Sequence, residues 1–378
     1  MKASPMKWLL WLWVGLIPLN LWGATGAPII QARAWILVDQ PSNKTLAAGN
    51  ADVQLAPASL TKLMTAYLLF TDLKNNKLAP ETMLDVPASA IKPLGATLFL
   101  SEGEPISVGT LLQGMLVHSA SDATLTLVET VSKTETLFVK RMNQEASRLG
   151  MTRTKFMNAT GLDVPGHTST ARDMALLARA LQQHFPQNQH YFAQKELTHK
   201  GITFYNTNRL LWLDSSVDGL KTGRSSRAGY CLAASAGRGE QRRIAVVLGA
   251  SSDAKRIQGA QNLLNFGFEN FDSARPYRAG QVIKSVKLYR GARESINIGF
   301  AQDFYLLVAK GALPRVKAQV LTQQPVVAPV RKGQPLGKLR ISLDGVILGD
   351  YPLLAMNDVE VAGILGRGWD SIKLLFVR

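Results

Sequence analysis

The sequence predicts a mixed α/β (α+β) domain with an antiparallel sheet and helices, followed by a small all-β sandwich domain and a C-terminal amphipathic helix. Three observations carry this. Strand-like runs stand at both ends of roughly residues 30–270 around a helical middle, and after Arg275 the texture changes to short β-rich runs separated by glycine or proline. The last residues then place apolar side chains at helical spacing. At 378 residues the chain exceeds a typical single domain of about 100 to 200 residues, so more than one unit is expected.

Taken in order, Met1–Lys7 is basic, Trp8–Trp22 is almost entirely apolar and Gly23–Ala27 is small. That is the three-part pattern of an export signal, assigned to residues 1–26. An uncleaved anchor is the competing reading, but a spanning helix needs about 20 apolar residues, and this run is interrupted by Pro18 and Asn20. Cleavage is expected near Ala24 to Gly26. The unit assigned to 27–272 opens with the strand pattern Ala34–Asp39 and a turn at Pro41–Asn43. Leu60–Phe70 reads as a buried apolar helix, and Val108–Arg148 and Ala171–Gln183 are helix-like. Gly219–Ala250 gives two or three strands ending in the apolar run Ile244–Ala250, and Gly259–Phe268 closes with another helix.

Residues 273–357 carry the runs Val282–Tyr289, Glu294–Ile298, Phe304–Val308, Val316–Leu321, Pro335–Leu343 and Val346–Leu353, whose alternation and turn spacing fit a small β-sandwich. No comparable set of nucleophile, base and cation lies among them, so this unit is expected to act as a spacer or binding module. In the last segment, 358–378, Val361, Ile364, Leu365, Trp369, Ile372, Leu375 and Phe376 share a face opposite Arg367, Asp370, Ser371 and Arg378. Such a helix suits a membrane interface; docking on its own protein is the alternative, and Gly363, Gly366 and Gly368 weaken it in isolation.

Composition narrows the function classes. A hydrophobic share of 46% supports a packed core rather than disorder. The formal net charge of +16 implies anionic surroundings, and for an exported chain without a nucleic-acid recognition motif these are anionic phospholipid and acidic cell-wall polymer. The single cysteine, Cys231, cannot form an intramolecular disulfide and reads as a packed hydrophobe of low reactivity. His118, His167, His184, His190 and His199 show no metal-ligand spacing, so catalysis without metal or cofactor is the expectation.

Three short motifs stand in order: Ser59-Leu-Thr-Lys62, Ser119-Ala-Ser121 and Lys221-Thr-Gly223. The first puts a hydroxyl and an amine three residues apart, so that on a helix they share a face and the amine can take the hydroxyl proton. The third offers a cation on a strand for a substrate carboxylate. Ser-x-x-Lys also occurs at Ser4, Ser89 and Ser252, and a serine at position 59 is also a plain helix N-cap, so the signal is the ordered set. The middle motif usually ends in Asn and here ends in Ser121.

With these motifs the chain resembles the penicillin-binding proteins and serine β-lactamases, and within them the low-molecular-mass D-alanyl-D-alanine carboxypeptidases of the bacterial periplasm. Pro57–Met64, Met115–Asp122, Asn158–Leu162, Thr170–Met174, Asn206–Trp212 and Val217–Gly223 all look like that family, over roughly residues 30 to 270, and the remainder resembles its C-terminal domain and tail. The resemblance implies a transpeptidase/β-lactamase-like fold. It implies a Ser59 acyl-enzyme formed on the penultimate D-alanine of a peptidoglycan stem peptide ending in D-Ala-D-Ala, with β-lactams as trapping inhibitors.

By resemblance, Lys62 accepts the Ser59 proton, Ser119 bridges the proton route to the leaving amine, and Lys221 and Thr222 bind the terminal carboxylate beside Gly223. The backbone N–H groups of Ser59 and Arg224 form the oxyanion hole. Ser121 orients substrate with one hydroxyl in place of an amide, and Arg224 and Arg209 each read as a further cation or a solvated rim charge. To act near pH 7, Lys62 must fall well below its free pKa of about 10.4, so its burial is expected. The expected location is the periplasm, peripherally attached to the outer face of the inner membrane. A D,D-endopeptidase, a β-lactamase and a non-catalytic wall-binding scaffold are the alternatives; the class A β-lactamase's Glu-x-x-Leu-Asn string is absent.

Overall fold

The structure, a computed structural model, describes residues 26–363 apart from Pro93 and Gln323. The export signal at 1–26, apart from Gly26, and residues 364–378 of the interfacial helix at 358–378 therefore lie outside the described residues. Where the second does overlap them, its start is corrected. Val359 bridges Val330 and Val361 bridges Gly291, and the Ala362 N–H donates to the Arg290 carbonyl at 2.8 Å. Strand pairing supplies these backbone groups with partners, so the helical spacing that begins at Val361 does not make a helix over 358–363.

Five strands form the central sheet: β1 (Ala34–Asp39), β2 (Lys44–Gly49), β3 (Val217–Ser225), β4 (Gly229–Arg238) and β5 (Gln241–Ala250), in the order β2-β1-β5-β4-β3 with every pairing antiparallel. The middle of β4 and of β5 is buried almost without a break because helices cover both faces, which is why the sequence there is continuously apolar rather than alternating. On one face pack α1 (Lys62–Lys74) and, behind it, α2 (Ser121–Ser132) and α3 (Glu135–Arg148), with α4 (Ala171–His184) across the sheet; α5 (Asp253–Asn270) covers the other face. Thr134, Thr170 and Ser252 cap α3, α4 and α5, each accepting from a backbone N–H of the first turn. Leu63 to Phe70 of α1 are all buried, as an all-round apolar helix requires when it runs through the middle of a domain.

The remaining strands are β6 (Phe271–Tyr277), β7 (Val282–Tyr289), β8 (Ser295–Gly299), β9 (Phe304–Ala309), β10 (Val316–Thr322), β11 (Val326–Val327), β12 (Pro335–Leu343) and β13 (Val346–Ala355). A six-stranded sheet, β10-β12-β13-β8-β7-β11, and the pair β6-β9 enclose a core of their own, built on Ile298, Leu306, Val308, Leu339 and Leu353. The chain passes from one unit to the next within β6. Arg243, fully buried on β5, pairs with Asp39 and donates to Ser273 Oγ at 3.2 Å and the Phe271 carbonyl at 3.3 Å.

Candidate active site

Ser59 does not sit in an α-helical turn. Residues Ala58–Thr61 form a single 3-10 turn that runs into α1 at Lys62. In a 3-10 turn side chains at i and i+3 eclipse, so Ser59 and Lys62 line up more directly than on an α-helix. The N-cap reading is not supported, since the positions before the turn and the helix are Pro57 and Thr61 and neither end has a side-chain cap. Thr61 Oγ1 donates to the Ala58 carbonyl at 2.8 Å and lies 3.0 Å from His167 Nε2. With its own proton used on Ala58, Thr61 accepts here, and His167 carries its proton on Nε2.

A second segment closes on this turn. In Asn158-Ala-Thr-Gly-Leu162 the Asn158 Oδ1 accepts from the Gly161 N–H at 2.7 Å and the Leu162 N–H at 3.2 Å, which curls the loop. The Thr160 carbonyl then accepts from Lys62 Nζ at 2.7 Å. Gly161 has φ +90°, and a Cβ there would stand 2.1 Å from the Ala58 carbonyl oxygen, so only glycine fits. From the other side comes the edge strand β3: a Cβ on Gly223 would stand 3.0 Å from the Ser59 nitrogen. The two glycines let loop and strand press on the turn that carries Ser59.

Ser119 follows a π-helical turn, Gly114–His118, and adopts a left-handed conformation with φ +66°. Its Oγ is buried without a hydrogen-bond partner among the described residues. Ser121 opens α2 and its N–H donates to the Ala96 carbonyl at 2.7 Å. Next to it, the Asp122 carboxylate accepts from the Leu98 and Leu100 N–H groups and so fixes residues 96–100 beside the site.

These elements enclose a cleft of about 540 Å³ whose lining includes Ser59, Lys62, Ser119, Ser121, Thr222, Gly223 and Arg224. Lys221 is brought close but is not on the lining: it is buried behind the wall and its Nζ donates to the Thr222 carbonyl at 3.0 Å. The Arg224 guanidinium lies over the Tyr230 ring, 4.9 Å from its centroid. Arg209 is exposed, 3.8 Å from Asp253, and does not line the cleft. Cys231 is buried, and burial pushes its thiol up to about 11, which fits an unreactive packed side chain.

The electrostatics follow from burial. Lys62 is 1% exposed, and desolvation pulls its ammonium down to about 7, with Asp122 opposing. Lys221 is lowered well below the usual lysine range, first by burial and then by Lys62 and Arg256. Two amines in one dry pocket cannot both hold a proton cheaply, so their titration belongs to the pair. A carboxylate arriving beside Lys221 reverses that balance and favours its charged form. What the arrangement offers chemically is a hydroxyl aligned with an amine that is about half neutral near pH 7, next to an amine that an anion recharges.

Several contributors escaped the sequence reading. Thr160, Thr207, His118, Asp163 and Arg256 also line the cleft. Thr207 Oγ1 meets Thr222 Oγ1 at 2.5 Å, and Ser225 Oγ donates to Asp163 at 2.8 Å. Burial, followed by Lys221, lowers the His118 ring below the usual histidine range. Asn158–Leu162 and Asn206–Trp212 stand out as strings, but which of their atoms meet Lys62 and Thr222 depends on folding.

Comparison with known proteins is consistent along the chain. A family model described as D-alanyl-D-alanine carboxypeptidase matches residues 23–252, and one described as penicillin-binding protein 5, C-terminal domain, matches 271–361. The chain is 39% identical over 358 residues to the D-alanyl-D-alanine carboxypeptidase DacC of Escherichia coli, covering 93% of this chain and 90% of that protein. Among solved structures, penicillin-binding protein 5 of Haemophilus influenzae superposes with a TM-score of 0.85 at 35% identity, over 89% of this chain and all of that one. Penicillin-binding protein D2 of Listeria monocytogenes, in its ampicillin-bound form, matches with a TM-score of 0.59 at 34% identity, over 65% of this chain and 100% of that one.

Proposed function

The chain belongs to the D-alanyl-D-alanine carboxypeptidase family, and on that premise we propose how its own residues carry the reaction. It is a serine-type D-alanyl-D-alanine carboxypeptidase, acting on peptidoglycan stem peptides. In the proposed mechanism Ser59 Oγ attacks the carbonyl of the penultimate D-alanine while Lys62 takes its proton. The tetrahedral oxyanion lies between the N–H groups of Ser59 and Arg224, where in comparable sites one donor is worth about 2.7 to 4 kcal/mol. Collapse breaks the C–N bond, and the proton passes from Lys62 through the unpartnered Ser119 Oγ to the departing D-alanine nitrogen. Thr222 on the cleft wall holds the D-alanine carboxylate, with the buried Lys221 behind it supplying the charge, and water then releases the acyl group from Ser59. Ser121, shorter than an amide, orients the substrate through one hydroxyl.

The observation that carries this assignment is the buried Lys62 amine, held by the Thr160 carbonyl and aligned with Ser59 by the 3-10 turn. β-Lactams present a carboxylate and a strained carbonyl to the same groups, and the ampicillin-bound relative supports their trapping here. We place the enzyme in the periplasm, exported by residues 1–26 and held at the outer face of the inner membrane by the terminal amphipathic segment, with the β unit lifting the site toward the wall.

The test is the purified soluble region with a pentapeptide ending in D-Ala-D-Ala, beside Ser59→Ala. Release of free D-alanine by the first and not the second is expected. No release by either sinks the assignment of roles, and preferential cleavage of a cross-linked peptide would make the enzyme an endopeptidase.

A further inference from the structure

Arg256 is a buried guanidinium that the proposed reaction leaves without a task. It stands in the first turns of α5, on the sheet face opposite α1, and is 7% exposed. Its Nη1 donates to the Gly223 carbonyl at 3.1 Å and to the Cys231 carbonyl at 3.3 Å. Asp253 Oδ1 lies 2.5 Å from Nη2 and the Tyr230 ring 5.5 Å from the guanidinium carbon, while Nε is buried without a hydrogen-bond partner among the described residues. Gly223 and Cys231 face each other across β3 and β4.

A trans peptide unit is planar, with its C=O and N–H pointing in opposite directions. Holding the Gly223 carbonyl toward β4 therefore turns the Arg224 N–H outward from the sheet edge, within the cleft that Ser59, Gly223, Arg224 and Arg256 itself line together. Contact is tight there, as the 3.0 Å approach of a Gly223 Cβ to the Ser59 nitrogen shows. β3 is an edge strand, so that peptide plane is held from one side only, by the pairing of Gly223 with Cys231 on β4 and by Arg256 across both carbonyls. We infer that Arg256 is a positioning residue of the oxyanion pocket, clamping the Gly223–Arg224 peptide so that the Arg224 N–H is preset for the tetrahedral intermediate. A guanidinium suits the task because Nη1 alone carries two N–H donors, enough for both carbonyls, and the group stays charged when buried.

The inference rests on the Ser59 acyl-enzyme reading, so wild type and Ser59→Ala are assayed first; absence of Ser59-dependent acylation would fail that reading and this one together. The probe is a peptide boronic acid ending in D-boroalanine, which forms a tetrahedral adduct with the serine and carries no leaving-group carboxylate. For Arg256→Ala we expect boronate affinity and kcat to fall about 10- to 100-fold while KM for the pentapeptide stays within about threefold. Arg256→Lys should recover part of the loss, and added guanidinium ion at millimolar concentration should restore acylation in Arg256→Ala. Unchanged boronate affinity with a raised KM would make Arg256 a carboxylate anchor and overturn the inference. Equal loss in both variants, without guanidinium rescue and in proportion to a lowered melting temperature, would reduce it to a fold support and overturn it as well.

Discussion

Lys62 illustrates a stability cost accepted for chemistry. Its amine is pulled down to about 7 by burial, so below that pH it is an ammonium that cannot accept the Ser59 proton. The rate of acylation by a labelled penicillin should therefore fall about tenfold per pH unit below about 7 and level off above it, which a stopped-flow or gel-band series across pH 5 to 9 checks. The sign for stability is the same. Between about 7 and 10.5 the unfolded chain binds the proton that the native state has lost, so the lysine's penalty is fully felt below that window and relieved as pH rises through it. Replacing it by Lys62→Met should raise the melting temperature by several degrees at pH 7, the residue of a penalty on the order of 3 to 5 kcal/mol minus the lost bond to Thr160. That gain should shrink toward pH 10, as paired melting curves would show. The Ser59 and Lys62 pair was legible in the sequence because three residues separate them along one short turn. Thr160 and Arg256 were not, because their carbonyl and guanidinium reach the site from loops and helices far along the chain.

At the scale of elements, the site is a 3-10 turn held between a loop and an edge strand. His167 links the turn to the loop that follows Asn158–Leu162, and burial holds its ring down to about 4, so it is neutral at pH 7. Protonation would put a second N–H on Nδ1, which is buried without a partner among the described residues. Because its folded value lies below the unfolded one of about 6.5, His167 contributes stability that is present above pH 6.5 and lost as pH falls toward 4, on the order of 3 kcal/mol. Melting temperatures should decline more steeply from pH 6.5 to 4 in wild type than in His167→Gln; parallel slopes would remove His167 from this role. β5 and α1 were read within a few residues, since their apolar runs are continuous and unbroken, whereas the polar first turns of α5 before Gly259 and the strands β2 and β6 were not read. The conformation of the Ser59 turn and the π-helical turn before Ser119 left no periodic trace in the sequence, because each is decided by what packs against it.

For the whole molecule, two units with separate cores meet at β6, where the Arg243–Asp39 pair and Ser273 tie the catalytic sheet to the β unit. The chain leaves that unit at 360–362, bridged to the hairpin at 290–292, so the terminal segment starts from a fixed point. Deleting residues 364–378 should release the protein from sedimented membranes without lowering its D-alanine release; a truncated form that still pellets would contradict the proposed anchor. Both units were legible from the change of texture after Arg275, whereas the buried Arg243 looked like any other basic residue in a cationic chain. The central claim is that the chemistry runs through a Ser59 acyl-enzyme, and one measurement addresses it directly: treat the protein with penicillin, digest it and locate the mass added. The label should fall on Ser59 and vanish in Ser59→Ala with the fold intact; a label on another residue, or one that survives Ser59→Ala, would contradict the account.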